Sequence, residues 1–539
     1  MWWLKAIVSA LVIINIGSGN PILNNEELHN IEENKFREVP AIKQKTKLVD
    51  AEESYRLPNT SIPLSYDITI RTDIHNAIFD FSGYVKIHAK ILEATEEIIL
   101  HYRQIEIDYI DLFNSTGIVA SDLKFEKISK FEFLNITLPR IYNPDEEIIL
   151  EIAYHGEIRR DGGGFYYGSY TNEEGQNVYY ATTQFEVTDA RHAMPCYDEP
   201  GIRAPMTLTI IHGKKYSVVA NMNIDSQENQ GGYTVTKFKP TPSIQTYLLA
   251  FLISDFDYVS ATNNSRISQK IYAKPEAIKN GEGDFAASVV GDVLARLEEV
   301  LKFNYPNDKM DHAALNYFNF GAMENFGLIT YIDRGLLLNP SLTENQKYIS
   351  QNSITGLIAH EFAHQWFGNI ISPKWWTYTW LNEGFATLFA SYIPHLIYPE
   401  RNIFARGYIN NIRTAFANDV NNSWAMNHYT ELPNELWSKF GAIGYQKSGC
   451  VLRMFMEVMT REVFFNGLNY YLTANNMQAA TPAELHVGLQ TAYDQANFTT
   501  PLNIDQLMST WENQAGYPLV TVTISGNNLQ FSQKNTHQE

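Results

Sequence analysis

Two rhythms of hydrophobic and polar positions divide this chain. Between about Tyr55 and Tyr258 the rhythm is that of a strand. Val85, Ile87, Ala89 and Ile91 alternate with polar residues, which turns one face of the strand inward. Short apolar runs follow at Ile98–Leu100, Ile148–Ile152, Leu208–Ile211 and Ser217–Val219, and turn signals such as Asp161-Gly-Gly-Gly and Gly231-Gly separate some of them. This predicts an N-terminal all-β domain over residues 56–259, built as a curved sandwich. After about Ala261 the spacing becomes helical: Val290, Val293, Leu294, Leu297, Val300 and Leu301 recur at three and four within Ala287 to Phe303. A second helix starts where Thr343 and Gln346 can form a capping box, and runs to about Phe367. A third starts similarly at Thr481-Pro-Ala-Glu484, with Pro482 at the tolerated first position, and another stops near Gly516. Residues 260–516 therefore read as a mainly helical unit. Val520–Ile524 and Leu529–Phe531 bracket Ser-Gly-Asn-Asn as one hairpin. A lone hairpin is marginal in water, so residues 517–539 read as the first strands of a β-sandwich left incomplete.

Composition narrows the function classes. The 539 residues carry 41 Lys plus Arg against 60 Asp plus Glu, a formal charge of −19. Phosphate-backbone binders need clustered cations, so no nucleic acid partner is expected. The two cysteines, Cys196 and Cys450, cannot staple a chain this long, and are expected to be buried free thiols. Residues 1–19 hold Lys5, an apolar run from Ala6 to Ile16 and small residues at 17–19, which reads as a signal peptide; residues 20–55 read as a polar linker. Sequons at Asn59, Asn114, Asn135, Asn263, Asn421 and Asn497 agree with secretion as a glycoprotein. No other apolar stretch is long enough to span a bilayer, so the mature chain is expected to have no transmembrane segment.

The chemical signal is His360-Glu361-Phe-Ala-His364. Residues four apart share a helix face, so both imidazoles can reach one ion. Glu383, 19 positions after His364 in Trp380-Leu-Asn-Glu-Gly, can add a carboxylate from a following helix and leave a fourth position open. This donor set suits zinc, although cobalt or manganese would also bind. Glu361, one residue round from His360, is placed to act as the general base. An isolated HExxH also fits two histidines that are merely hydrogen-bonded. Glu383 on its own helix is what turns the pattern toward a metal.

Upstream lies Gly321-Ala322-Met323-Glu324-Asn325. With the HExxH and Glu383 it resembles the signature of the M1 family of zinc aminopeptidases, the gluzincins. The resemblance extends through Thr183-Gln-Phe-Glu186-Val-Thr-Asp-Ala-Arg191, Pro195-Cys-Tyr-Asp-Glu-Pro200 and His364-Gln-Trp-Phe-Gly-Asn369. It covers about Tyr55 to the C-terminus, with details most like the insect gut members. It implies a saddle-like β-domain followed by a thermolysin-like (α+β) catalytic domain. The implied ligands of one zinc ion per chain are His360, His364 and Glu383. Glu324 and Glu186 are the implied holders of the substrate's free α-ammonium, and Gly321, Ala322 and Met323 pair with its backbone. Tyr445, in Gly444-Tyr-Gln-Lys447, matches the catalytic tyrosine that stabilises the oxyanion. The sequence departs locally at Ser448-Gly449-Cys450, where small side chains are kept, and Lys447 is left without a role.

The implied activity is removal of the N-terminal residue from peptides that have a free N-terminus. A catalytically weak secreted or surface binding protein on the same fold is the alternative, and toxin docking is a second role the resemblance implies. A zinc endopeptidase conflicts with the amine-binding pair. Full-length relatives are anchored at the cell surface and carry a further helical C-terminal domain. The ending Gln533-Lys-Asn-Thr-His-Gln-Glu539 has no anchor signal, and a C-terminally truncated product is the expectation.

Overall fold

The computed structural model describes residues 54–262, 265–421, 423–526 and 528–536. The signal peptide, nearly all of the linker and the Asn263 sequon fall outside the described residues. The alternation read from sequence is realised in the strand Asp80–Ile91, where Val85, Ile87, Ala89 and Ile91 are buried and their neighbours face outward. That strand lies inside an eight-stranded sheet, paired on one side with Ser61–Thr72 and on the other with Glu147–Glu157. Ser61–Thr72 also pairs in parallel with Met206–Gly213, in the register Tyr66↔Met206.

A four-stranded sheet holds Gly164–Thr171, Asn177–Gln184, Ser217–Ala220 and Phe251–Ser254, and a three-stranded sheet contains Thr95–His101. Phe81 of the large sheet packs on Phe165 of the four-stranded sheet at 5.2 Å, and Phe165 packs on Phe251 at 5.0 Å. Edge-to-face rings at these distances add to the area they bury, and this aromatic seam joins two layers of the β-rich part.

The helical part is built on a five-stranded mixed sheet ordered Asp257–Ser260, Lys270–Ala273, Asp311–Leu315, Leu328–Ile332 and Ala322–Met323. Strand Asp257–Ser260 straddles the expected 259/260 division and pairs into this five-stranded sheet. Eight helices of ten or more residues follow among the described residues: α1 Asp284–Leu301, α2 Glu344–His364, α3 Trp380–Ile397, α4 Ile403–Asn421, α5 Ser448–Met459, α6 Arg461–Ala474, α7 Pro482–Gln495 and α8 Ile504–Asn513. None is long and apolar enough to cross a membrane. Both expected capping boxes form, Thr343 with Gln346 at α2 and Thr481 with Glu484 at α7. α8 ends three residues earlier than its glycine stop suggested. Pro518–Ser525 and Asn528–Asn535 form the hairpin. Cys196 is buried and Cys450 half-buried, both as free thiols.

Three polar clamps tie the β-rich part to the helical part. Asn221 Nδ2 donates to the Phe326 carbonyl at 2.7 Å, and Tyr247 Oη donates to the Gly368 carbonyl at 3.1 Å. The Arg203 guanidinium donates to the carbonyls of Asn369 and Ile370. Gly327 sits at φ +74°, and a Cβ there would lie 2.2 Å from the Asn221 carbonyl oxygen. A side chain therefore meets both a left-handed backbone and the first clamp. Gly327→Ala is expected to cost about 2 kcal/mol, read as a lower urea midpoint with an unchanged slope.

At the far end, His486 of α7 bridges to α8 through Glu512 at 2.7 Å and Asp505 at 2.8 Å. Burial opposes its charge, but the bonds and charges of the two acids outweigh burial and raise its pKa. A raised folded-state pKa stabilises most below the ordinary histidine range and stops stabilising as pH climbs through the raised value. The stability lost in His486→Asn should therefore be larger at pH 5.5 than at pH 8.5, as measured by urea unfolding at both.

Candidate active site

The last turn of α2 carries His360, Glu361 and His364, and the first turn of α3 carries Glu383. The two helices pack along their lengths, so a 19-residue separation in sequence becomes contact in space. His360 Nε2 and His364 Nε2 are 3.1 Å apart, and Glu383 Oε2 lies 3.3 Å and 3.4 Å from them. Two ligands at about 2.0–2.1 Å from a tetrahedral ion stand about 3.3 Å apart. The triangle of donor atoms has that edge on all three sides. Glu383 Oε2 is buried and makes no hydrogen bond, which is costly for an acceptor unless a cation takes it up. The donor set therefore fits a zinc-like ion.

His364 is oriented from behind, where its Nδ1 bonds the Phe367 carbonyl at 3.2 Å. Placing the ring proton at that carbonyl leaves Nε2 as the lone-pair donor.

Above the triangle run Gly321–Asn325. Ala322–Met323 is an edge strand, antiparallel to Leu328–Ile332 in the register Ala322↔Tyr331. Its other side carries no strand among the described residues, so it can accept an extended chain. The Glu324 carbonyl accepts bonds from Gln365 Nε2 at 2.9 Å and Asn369 Nδ2 at 2.8 Å. These two side chains fasten the edge strand to the end of the helix that holds the histidines. Sequence reasoning assigned them no part, although both lie in the quoted run His364–Asn369. The Glu324 carboxylate is buried, with Oε1 unpartnered and 3.7 Å from His364 Nδ1.

Glu186 arrives from the β-rich part, two residues after the strand Asn177–Gln184 ends. The side chain of Gln184 spans the junction: its Nε2 donates to the Glu186 carbonyl and to Met323 Sδ, both at 3.4 Å. Glu186, Glu324, Glu361 and Glu383 are thus four buried carboxylates around two histidines. Burial, together with one another's charge, pushes Glu186 and Glu361 well above the usual carboxylate range, and burial raises Glu324 as well. Burial also works on Glu383, but the two histidines outweigh it and hold it at about 2. For His364 burial disfavours charge, yet the carboxylates of Glu324 and Glu383 hold its pKa well above the usual value. Four carboxyls thus face two imidazoles, and an added cation would favour the ionised form of the three carboxyls whose pKa is raised.

Tyr445 completes the ring of residues. It lies in a π-helical turn, Ile443–Lys447, in which Lys447 N–H reaches back five residues to the Ala442 carbonyl. Its ring lies parallel to that of His360, 5.9 Å between centroids and 3° between planes. Burial first, then the charges of Glu383 and Glu186, raise its pKa well above 10, so it stays a hydrogen-bond donor. A π-turn is rare and clusters at functional sites. Gly444 permits it, because a Cβ there would lie 2.3 Å from the Lys439 carbonyl oxygen. The sequence offers no signal for this irregular turn, since the apolar spacing on either side is ordinary.

Glu186, Glu324, His360, Glu361, His364, Glu383 and Tyr445 are brought together at the junction of the β-rich and helical parts, and Gly321–Met323 lead along the edge strand into Glu324. Two comparisons give this arrangement a lineage. Residues 62–248 match the Peptidase M1 N-terminal domain, and residues 285–511 match the Peptidase family M1 domain. The chain belongs to peptidase family M1. Aminopeptidase N of Rattus norvegicus is 32% identical over 494 residues, 87% of this chain and 50% of that protein. Aminopeptidase N of Plutella xylostella is 33% identical over 501 residues, 89% of this chain and 51% of the relative. Aminopeptidase 2, mitochondrial, of Saccharomyces cerevisiae is 32% identical over 477 residues, covering 87% and 48%. The chain spans about half the length of the curated relatives it matches.

Proposed function

We propose that this chain is a zinc-dependent aminopeptidase that removes single N-terminal residues from peptides. The observation that carries the reading is the placement of two buried carboxylates from different parts of the fold, Glu324 with Oε1 unpartnered and Glu186, beside a His–His–Glu donor triangle. His360, His364 and Glu383 would hold the metal. Zinc, when bound, polarises the scissile carbonyl and makes water a competent nucleophile near neutral pH.

The chain's own residues do the rest. Glu324 and Glu186 pair with the substrate ammonium, which fixes the first peptide bond in the site and leaves no room for a longer N-terminal extension. Ala322 and Met323 align the substrate backbone as an added strand. Glu361 removes a proton from the attacking water and passes it to the leaving amine. Tyr445 donates its phenol hydrogen to the oxygen that gains charge, a contribution of about 3–4 kcal/mol for one such donor.

The test is hydrolysis of an aminoacyl anilide by the purified chain before and after dialysis against a chelator, with bound metal quantified. Activity that disappears with the metal and returns on adding about one equivalent of zinc supports the reading. Activity that survives full metal removal excludes it. The same logic extends to secretion: the N-terminal run proposes a processed, exported chain, and the mature N-terminus of exported material should begin after the apolar segment.

A further inference from the structure

Lys447 follows Tyr445 by two residues and is the charged member of its motif without a part in the chemistry above. It is buried, and its Nζ is fixed by three contacts: Asp419 Oδ2 at 3.0 Å, Asp419 Oδ1 at 3.3 Å and the Gly516 carbonyl at 2.7 Å. Asp419 comes from the last turn of α4 and also accepts from Ser423 Oγ at 2.9 Å. Ser423 Oγ in turn accepts from the Gly516 N–H at 2.6 Å. A closed polar knot therefore joins α4, the Tyr445 turn and the segment that follows α8.

Residues two apart on a helical turn point to nearly opposite sides. Tyr445 reaches toward His360 while Lys447 is moored on the far side. A π-turn is a rare single-turn departure from the α-helix, so its setting depends on what its side chains are fastened to. This turn packs between α3, which carries Glu383, and α4, which carries Asp419. Rolling it would move the phenol and the ammonium together, in opposite directions. A buried ion pair seldom adds much net stability, but it fixes geometry firmly, since breaking it strands a charge.

We propose that Lys447 and Asp419 form a positioning pair that locks the rotational setting of the Ile443–Lys447 turn and so holds the Tyr445 phenol over the metal-binding triangle. The proposal rests on the function of Tyr445 given above and adds the residues that hold it there.

A double-mutant cycle tests it on the whole chain. Lys447→Met and Asp419→Asn are each expected to lower kcat on an aminoacyl anilide about tenfold, a change of about 1.4 kcal/mol in the barrier, with KM within twofold. Lys447→Arg, which keeps the charge, should recover most of that loss. In a Tyr445→Phe background the same changes should cost less than twofold, because the group they position has gone. Equal losses in both backgrounds, or unchanged kcat in Lys447→Met, overturn the proposal.

A second readout does not depend on turnover. Amide exchange across residues 441–448 should speed up at least tenfold in both variants, beyond the rise in α3, which follows the loss of global stability that stranding a buried charge brings. Asp419→Asn serves if Lys447→Met fails to fold. A parent chain without turnover counts against the proposed reaction and not against the pairing, and the exchange result then decides alone: protection unchanged in either variant overturns it.

Discussion

Glu361→Gln is expected to lower kcat by about a hundred- to ten-thousand-fold, the range for losing a general acid–base group, while the metal content stays at one per chain. The amide keeps the shape of the carboxylate but cannot take up a proton. Glu361 is buried, its Oε2 has no hydrogen-bond partner, and its pKa is raised by burial and by the neighbouring carboxylates. These features suit a group that must hold a proton transiently and release it. Glu361 lies next to His360 but is not a corner of the His360–His364–Glu383 triangle, so zinc should remain. Measuring kcat alongside metal content by mass spectrometry separates the two effects. Retained turnover would remove Glu361 from the mechanism, and loss of metal would make it a ligand.

Glu324→Gln is the second large effect. Removing one partner from a buried charge pair costs about 3 kcal/mol or more, which corresponds to at least a hundredfold in kcat/KM for a substrate with a free amine. The backbone of residue 324 should hold its place, because Gln365 and Asn369 bond its carbonyl and not its side chain. Discrimination between free and N-acetylated substrates should shrink together with kcat/KM. A variant that loses activity but keeps the full discrimination would show that the amine is recognised elsewhere, with Glu186 the first place to look.

The relation between sequence and structure is uneven across the molecule. Strand alternation at Val85–Ile91 and the capping boxes at Thr343 and Thr481 are local rules, and they were legible because nothing distant overrides them. The metal triangle was legible because helix periodicity fixes His360 against His364, and a short connection returns Glu383 to the same end. Three kinds of feature were not legible. The five-stranded mixed sheet depends on pairings between segments far apart in sequence, such as Asp311–Leu315 with Leu328–Ile332 and Lys270–Ala273. The bond that orients the His364 imidazole uses a backbone carbonyl, which carries no sequence label. The π-turn under Tyr445 rests on a missing Cβ at Gly444 and on the knot around Lys447, and neither has a periodic signature.

The proposed function requires that a free amine, held by Glu324 and Glu186, sets where the metal centre cuts. The most direct measurement is mass spectrometry of a defined decapeptide incubated with the zinc-loaded chain, in free and N-acetylated forms. The expected result is a ladder of products shortened one residue at a time from the free N-terminus, and an intact acetylated peptide. Internal cleavage, or equal consumption of both peptides, would contradict it.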